Sequence, residues 1–295
     1  MLSSGGVALA RIFLGIMTGI PTEACVIDDN YQIVGRGTAG RSFRWEHDKA
    51  VESIKQTVTE ALSSAGCALS DVAMACASFT SVEWEDAYFP AYDLVEPILG
   101  ETPFKPIDHA SGSLAVAYRG GDGILVVAGG ESQSLGVKGG KYAKAGGWGS
   151  VFGDEGTSTH ITAEGLRAAA RWADDRGIKT ALLNDFCMTL DCSLRWLTRQ
   201  IHDKHVDFPE LCRVVFRCAE AGDAEAMRIV TKEARELVFM AKAVSTRLDM
   251  PSPRIALVGG CFRFPIYVEP QGTGPFAPQW QWLVQSNRKA KGVVR

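Results

Sequence analysis

The sequence predicts an α/β protein of two lobes, and three observations lead to this prediction. Short apolar runs typical of strands alternate with segments of helical periodicity in the first part of the chain. The composition shifts near Arg119–Gly123, so the first lobe is predicted to span residues 1–119 and the second lobe residues 120–295. A long helical block, Leu190–Ala243, then precedes one more strand, which ends on a pair of glycines.

In the first lobe, strands are predicted from short apolar runs and helices from apolar residues that recur every few positions. The best-defined helix carries Ile54, Val58 and Leu62 on one face and ends at Gly66, a residue type that often follows a helix. The predicted strands are Ala10–Ile16, Ala24–Ile27, Tyr31–Val34, Val72–Ala77 and Phe104–Ile107, and the predicted helices are Asp48–Gly66 and Ala110–Tyr118.

The second lobe is predicted to open with a cluster of strands joined by glycine-containing turns. Its clearest helix is Ala224–Leu248, where Val230, Leu237 and Val244 form one apolar stripe that is expected to pack into the core. The predicted strands are Ile124–Ala128, Ser134–Val137, Tyr142–Lys144 and Arg254–Val258, and a further helix is predicted over Glu155–Trp172.

Composition and charge argue against several classes of protein. The 295 residues are 46% hydrophobic and 22% charged, as in globular proteins with a buried core. A net charge of −3 disfavours nucleic-acid and membrane partners, because both select basic surfaces. Residues 1–13 lack the basic start of a secretory signal, and the eight cysteines include no CxxC pair. A cytoplasmic location, reduced thiols and no bound structural metal are therefore expected.

A glycine-rich pattern over residues 146–157 resembles that of a known family. It reads Gly-Gly-Trp-Gly, then three residues, then Gly-Asp-Glu-Gly-Thr. This pattern is similar to that of the N-acetylglucosamine and glucosamine kinases of the BadF/BadG/BcrA/BcrD-type ATPase group, and the resemblance covers residues 12–265 in register. It implies a two-lobed actin-like ATPase (ribonuclease H-like) fold, with mixed five-stranded sheets flanked by helices.

The resemblance also implies a nucleotide site, and this chain carries altered residues there. The family's first phosphate loop, Asp-Gly-Gly-Gly-Thr, aligns with Met17–Pro21. Methionine lacks the oxygen ligand that Mg²⁺ requires, and Pro21 has no amide hydrogen to offer a phosphate. In the second loop the negative charge of Glu131 would face phosphate. Each such pair of like charges about 4 Å apart repels by roughly 4 kcal/mol. The nucleotide-binding candidates are Thr18, Gly19, Gly129, Gly130, Ser132, Gly259 and Gly260.

The catalytic base of the family is the aspartate of an Asn-Asp-Ala run, and the matching run here is Asp108-His109-Ala110. His109 therefore occupies the position of the base, and a histidine can act as a general base at neutral pH. A register shifted by one residue would place Asp108 there instead. Asp108, His109 and Ser111 also suggest a hydrolytic triad, but neighbouring side chains diverge along a strand and are not expected to converge.

The candidate sugar site combines changed and unchanged positions. Family members contact the acetamido sugar through an asparagine after Ala-Gly-Pro-Ser, and the corresponding residue here is Phe43, with Trp45 close by. Aromatic rings can stack on a sugar face. Alternatively, residues 146–157 form only a glycine turn and a helix start, with Glu155 favoured by the helix dipole. The substrate-binding candidates are Asp154, Glu155, Phe43, Trp45 and Gly147.

Three functions remain open on the sequence. The altered loops favour a pseudokinase that binds a small-molecule sugar or related metabolite, or a protein partner, and needs no cofactor. His109 and the Asp154 loop keep open a divergent amino-sugar kinase, an enzyme that needs ATP and Mg²⁺, or a kinase-fold enzyme with changed chemistry. The reductase-activating branch of the family holds an iron–sulfur cluster through cysteines at a dimer interface, and matching cysteine pairs are lacking here. A site in the cleft between the lobes and a homodimer are further expectations.

Overall fold

The structure, a computed structural model, describes residues 11–19, 21–42, 46–79, 85–202 and 209–268. Strands and helices alternate as predicted, so the α/β class is confirmed. The chain divides into two compact units, Met1–Gly112 and Ser113–Arg295. The division falls within a helix, His109–Tyr118, a few residues before the boundary predicted at residue 119.

The first unit is built on a mixed five-stranded sheet of order β3-β2-β1-β4-β5. The central strand β1 runs antiparallel to β2 and parallel to β4. The strands of this sheet are β1 (Ile12–Met17), β2 (Thr22–Asp28), β3 (Ile33–Ala39), β4 (Val72–Phe79) and β5 (Phe104–Asp108). Its helices are α1 (His47–Ala65), α2 (Glu85–Leu99) and the first turn of α3 (His109–Tyr118), with a short 3-10 helix at Leu69–Asp71.

Helix α1 packs closely against β3, and two glycines permit this approach. A Cβ atom at Gly37 would collide with the carbonyl oxygen of Thr57, and one at Gly35 would collide with that of Ala61. Only a residue without a side chain fits at either position. The core of the unit lies between this helix layer and the sheet, and its fully buried members include Val26, Ile54, Ala61 and Val95.

The second unit is built on a sheet of order β8-β7-β6-β9, in which β6 is antiparallel to β7 and parallel to β9. Within the described residues this sheet has four strands, one fewer than the resemblance implies. The strands are β6 (Gly123–Ala128), β7 (Ser132–Lys138), β8 (Lys141–Gly146) and β9 (Ile255–Val258).

The helices of the second unit surround one apolar core. The predicted stripe of α8 is confirmed, because Val230, Leu237 and Val244 are all buried. The helical block begins at Leu182, earlier than the predicted start at Leu190. The helices are α4 (Ser158–Ala173), α5 (Leu182–Thr189), α6 (Leu194–His202), α7 (Cys212–Glu220), α8 (Ala224–Arg247) and α9 (Pro265–Val268), with 3-10 helices at Pro209–Leu211 and Gly260–Arg263.

The eight cysteines carry free thiols. Burial raises the pKa of Cys218 and of Cys261 to about 12, so both are protonated at neutral pH. In the described ranges, no group of three His, Cys, Asp or Glu side chains is arranged to hold a metal ion. Across the same ranges, no helix combines the length and the apolar character needed to cross a bilayer.

Candidate functional site

The first loop follows β1, and its described amides are bonded inside the protein. Met17 ends the strand with its side chain 41% exposed. The amide of Thr18 donates to the carbonyl oxygen of Ser78 at 3.1 Å, and the Thr18 hydroxyl donates to the same oxygen at 3.0 Å. The amide of Gly19 donates to Oγ of Ser42 at 3.0 Å. Neither amide therefore remains to receive a phosphate oxygen.

Ser42 closes the loop from the end of the segment after β3. Its own amide donates to the carbonyl oxygen of Gly19 at 3.0 Å, so the two residues exchange a pair of hydrogen bonds. Oγ1 of Thr22 lies 2.7 Å from Oγ of Ser42, within hydrogen-bond distance, and both side chains are buried. Pro21 has no amide hydrogen to donate, and the amides of Thr18 and Gly19 already donate to acceptors within the protein.

His109 lies at the first turn of α3, where its ring contacts the same carbonyl as the first loop. Nε2 lies 3.1 Å from the carbonyl oxygen of Ser78. A carbonyl can only accept, so Nε2 carries the hydrogen and Nδ1 is the atom that can take up a proton. Burial lowers the pKa of His109 below its ordinary value of 6.5, which keeps the ring neutral at neutral pH.

Asp108 contacts the backbone at the start of α3. Its Oδ1 accepts the backbone amide of Ser111 at 2.9 Å, so the carboxylate caps the start of α3. The carboxylate is thus engaged with the backbone of Ser111, and no triad forms from these residues in the way chymotrypsin-like sites require. Phe43 and Trp45, the aromatic candidates for the sugar site, lie outside the described residues.

The second loop joins β6 to β7 in the second unit. The amide of Gly129 donates to the carbonyl oxygen of Glu131 at 3.0 Å, and Oε1 of Glu131 accepts from Nε2 of Gln133 at 3.1 Å. The amide and the hydroxyl of Ser158 both donate to the carbonyl oxygen of Gly129. The loop, which includes Gly130, is thereby anchored to the start of α4.

Asp154 is the polar centre of the second unit's candidate site. It is only 9% exposed, and its Oδ1 accepts the amide of Ser132 at 3.4 Å. Burial raises the pKa of Asp154 above its ordinary value of 3.8. The structure therefore brings together Asp154 and Ser132, which were assigned separately to the sugar and to the nucleotide.

Helix α4 starts later than predicted. Asp154 and Gly156 have φ angles of 63° and 87°, which are incompatible with a right-handed helix, so the predicted start at Glu155 is wrong. Thr157 caps the helix instead, because its Oγ1 accepts the amide of His160 at 3.1 Å. Glu155 lies in the turn before this cap and is half-buried.

The turn between β8 and α4 presents apolar side chains. The amide of Gly147 donates to the carbonyl oxygen of Ser132 at 2.8 Å, which fixes the base of the turn beside the second loop. At its tip, Trp148, Val151 and Phe152 are 65%, 85% and 84% exposed. An exposed indole such as that of Trp148 has a ring face free to stack on a ligand.

Gly259 and Gly260 follow β9 and belong to the same end of the sheet. A Cβ atom at Gly259 would collide with the backbone of Ala128 in β6, so its φ of 126° serves a close backbone approach. A Cβ atom built on Gly129 would lie 3.8 Å from the Cα of Gly259. The second loop and the glycine pair are therefore neighbours.

Sequence reasoning missed three side chains behind this site: Glu233, His160 and Tyr267. Oε2 of Glu233 accepts the amide of Gly156 at 2.7 Å and Nδ1–H of His160 at 2.8 Å. The hydroxyl of Tyr267 donates to the carbonyl oxygen of Gly156 at 2.9 Å. Since these residues lie far apart in the chain, the one available signal was a glutamate beside the apolar stripe of α8.

The described residues fit ATP and Mg²⁺ poorly at the first loop. A cradle for phosphates needs backbone amides that point outward, and those of Thr18 and Gly19 point to protein acceptors. Mg²⁺ requires oxygen ligands, and Met17 offers a thioether at the position where the family has its aspartate.

Comparison with known proteins agrees with this fold. An N-acetylmuramic acid/N-acetylglucosamine kinase of Clostridium acetobutylicum is 28% identical over 209 residues, which are 69% of this chain and 68% of that protein. The structure of a Chromobacterium violaceum protein assigned as an N-acetylglucosamine kinase superposes with a TM-score of 0.70 at 18% identity, covering 94% of this chain and 99% of that one.

A second solved structure is similar at a lower score. It is a ROK family glucokinase of Streptomyces griseus, in complex with glucose and AMPPNP, with a TM-score of 0.59 at 16% identity, covering 92% of this chain and 90% of that one. At these identities both structures establish the actin-like sugar-kinase fold of this chain.

The family assignment comes from a sequence match that begins within the first loop and includes the second loop and the Asp154 turn. A model of the BadF/BadG/BcrA/BcrD ATPase family matches residues 19–272. The match begins in the first loop and continues past β9, so it includes most of both units. This chain therefore belongs to the BadF/BadG/BcrA/BcrD ATPase family, within which it is similar to amino-sugar kinases.

Proposed function

We propose that this chain is an amino-sugar-kinase-like protein that binds an amino sugar or a related metabolite and does not transfer phosphate efficiently from Mg·ATP. The observation that carries this proposal is the closed first loop. The amides of Thr18 and Gly19 donate to Ser78 and Ser42, at distances of 3.1 and 3.0 Å. Nucleotide binding there would have to break these bonds before any new bond formed.

Energetics favour the closed loop over a phosphate-bound one. Opening the loop breaks the hydrogen bonds from the amides of Thr18 and Gly19, each worth about 0.5–1.5 kcal/mol. The Ser78 carbonyl oxygen keeps the Thr18 hydroxyl and Nε2 of His109 as partners. In the second loop the carboxylate of Glu131, whose Oε1 accepts a hydrogen bond from Gln133, would repel a phosphate group bound at that loop. Each loop, taken by itself, would therefore bind a phosphate group more weakly than an open and uncharged loop would.

The sugar side of the site supports ligand binding better. Asp154 is held in a left-handed turn and is nearly buried, as a hydroxyl-binding carboxyl group would be. Trp148 offers an exposed indole in the turn that precedes it. The Clostridium relative is named for N-acetylmuramic acid and N-acetylglucosamine, so acetylated amino sugars are the first ligands to try.

The test is isothermal titration of the purified chain with Mg·ATP, with and without N-acetylglucosamine or glucosamine. We expect measurable sugar binding and no nucleotide binding up to millimolar concentration. An Asp154→Ala variant is the control for the sugar site, and it should lose the sugar signal. Micromolar binding of Mg·ATP that tightens with sugar would overturn the proposal.

A second candidate function is an active, divergent amino-sugar kinase, and the placement of His109 favours it. Its neutral ring keeps Nδ1 available to take a proton from a sugar hydroxyl. If transfer is observed, His109→Ala should lower turnover by about 10²–10⁴-fold. His47→Ala, at an exposed histidine of α1, is the matched control. An unchanged rate in His109→Ala would remove His109 from this role.

The remaining expectations stay proposals with simple tests. A homodimer would show as twice the chain mass of 31.8 kDa in light scattering, and a monomer as that mass. An iron–sulfur role would require cysteine clusters, and the described residues contain none of three or more ligands. An iron-free, colourless protein would dispose of that role.

A further inference from the structure

Glu233 is a buried acidic residue in the middle of the long amphipathic helix α8. Its side chain is 0% exposed and lies on α8 between residues that pack into the core. A carboxylate in such a place costs free energy unless hydrogen bonds and an opposite charge compensate it. What Glu233 contacts therefore indicates why it is there.

Both backbone polar groups of Gly156, the amide and the carbonyl, are hydrogen-bonded to buried side chains. Oε2 of Glu233 accepts the Gly156 amide at 2.7 Å, and the Tyr267 hydroxyl donates to the Gly156 carbonyl oxygen at 2.9 Å. Gly156 is two residues after Asp154, and Thr157, the next residue, bonds back to the carbonyl oxygen of Asp154 through its hydroxyl at 2.7 Å. The position of Asp154 thus depends on how firmly Gly156 is held.

His160 supplies the positive charge nearest to Glu233. Its Nδ1 lies 2.8 Å from Oε2, and its side chain is 23% exposed. Oε1 of Glu233 has no hydrogen-bond partner among the described residues, and Nζ of Lys232, on a side chain 46% exposed, is 3.8 Å away. Compensation of the buried carboxylate therefore relies chiefly on His160, and it is complete only when His160 is protonated.

We propose that Glu233 and His160 act as a positioning pair, which holds the Asp154 turn in its ligand-binding shape most firmly when His160 is protonated. Neither residue needs to touch the ligand. The part that concerns sugar affinity rests on the proposed function, while the part that concerns the turn does not.

The direction of the pH effect follows from the surroundings of the pair. The hydrogen bond to Glu233 raises the pKa of His160 above 6.5 despite partial burial. Stability from the pair is therefore fully present below that value and is lost as pH rises through the raised pKa. The other titratable or charged groups that act on the pair are Asp154, Glu164, Arg228, Lys232, Glu236, Cys261 and Tyr267.

The first experiment measures hydrogen exchange of the Gly156 amide without ligand. After correction for intrinsic exchange, protection in the wild type should be about three- to tenfold lower at about pH 8 than at about pH 6. His160→Asn keeps a donor near the Nδ1 position but cannot titrate, so its protection should not change with pH. Protection independent of pH in the wild type, or an unchanged slope in His160→Asn, would overturn the proposal.

Two further variants separate the pair from a general effect. Glu233→Gln keeps the shape but gives a weaker acceptor, and Gly156 protection should fall about five- to tenfold at both pH values. His47→Asn, at an exposed histidine in the first unit, should keep the wild-type slope. If Glu233→Gln does not fold, the wild-type and His160→Asn profiles still decide the question.

The second experiment measures sugar affinity over the same pH range. Affinity for N-acetylglucosamine should fall about threefold or more from about pH 6 to about pH 8 in the wild type and stay level in His160→Asn. Absence of sugar binding at every pH would count against the proposed function and leave the exchange result to judge the pair. Sugar binding with equal pH dependence in both proteins would count against the pair alone.

Discussion

His109 and His160 lie in environments that shift their pKa values in opposite directions. Burial at the start of α3 lowers the pKa of His109 below 6.5, and Ser78 accepts its Nε2–H. The carboxylate of Glu233 raises the pKa of His160 above 6.5. Because a histidine has the same ordinary pKa at both places, the difference comes from the neighbours alone.

His109 should make the free energy of unfolding fall on the acid side. Its folded pKa is lowered, so the unfolded chain takes up the proton first and stability decreases as pH drops below 6.5. His109→Gln keeps a donor near the Nε2 position and should remove part of this decrease in urea unfolding between about pH 5 and 7. The same acid slope in wild type and variant would contradict the assignment.

Asp154 should reduce stability while it serves binding. Burial raises the pKa of its carboxyl group, so the ionised form opposes folding once pH exceeds the ordinary value of 3.8. Asp154→Asn keeps an Oδ1 acceptor for Ser132 and a residue type that tolerates a φ of 63°. At neutral pH we expect unfolding to cost about 0.5–1 kcal/mol more in the variant, with sugar affinity at least about tenfold weaker.

Urea unfolding and calorimetric titration check this pair of effects. Asp29→Asn, in the exposed turn between β2 and β3, is the control and should change neither quantity. A less stable Asp154→Asn variant would show that the carboxylate is not a burden on the fold.

At the level of elements, the turn before α4 requires a glycine at position 156, both for its backbone conformation and for the space beside Leu237. Gly156 has a φ of 87°, and a Cβ atom there would come 2.6 Å from Leu237 of α8. Gly149 has a φ of 77° and open space around it, so it isolates the conformational cost. Gly149→Ala should lower the free energy of unfolding by about 1–2 kcal/mol.

Gly156→Ala should cost more than its control. The added clash with Leu237 should contribute about 1–3 kcal/mol beyond the cost of the left-handed conformation. Urea unfolding of both variants measures the difference. Equal losses of unfolding free energy in the two variants would mean that α8 moves aside freely and that Leu237 does not restrict the turn.

Periodicity predicted most elements but missed α2 and α5, and it placed the third strand at Tyr31–Val34, whereas β3 is Ile33–Ala39. Residues 85–99 include Pro90 and Pro97, which remove backbone donors and disguise a helix in a sequence pattern. The start of α4 was misplaced for a related reason, because the left-handed turn at Asp154 and Gly156 has no signature in apolar spacing. The prolines of α2 and the left-handed turn before α4 are local backbone features, and apolar periodicity does not encode them.

Short sequence motifs could suggest residues of the candidate site but not the contacts between them. Residue types alone were enough to predict that Met17 and Pro21 weaken a phosphate loop. They could not predict that Ser42 and Ser78 bind the loop's amides, because those bonds join distant segments. The Glu233–His160 contact spans 73 positions and likewise required the fold.

At the level of the molecule, each unit has its own core. One buried cluster draws on residues of the first unit and the other on residues of the second. Ligand binding by the Asp154 turn is therefore expected to stabilise first the core that surrounds α4 and α8.

N-acetylglucosamine at one hundred times its dissociation constant should raise the free energy of unfolding by about 2.7 kcal/mol. The gain belongs to the transition in which the Asp154 turn unfolds, and thermal scans with and without sugar measure it. Millimolar Mg·ATP is the matched comparison and should leave the transition in place. Stabilisation by Mg·ATP alone would contradict the closed first loop.

Under the proposed function, closure of the first loop would make tighter nucleotide binding hard to gain by one substitution at a time. Met17→Asp would return a carboxylate, but the amides of Thr18 and Gly19 would stay bonded within the protein. Replacing Ser42 would release one amide, and Pro21 would still have none to offer. An evolutionary path to a loop that binds phosphate tightly would therefore pass through several variants that bind nucleotide no better than this chain.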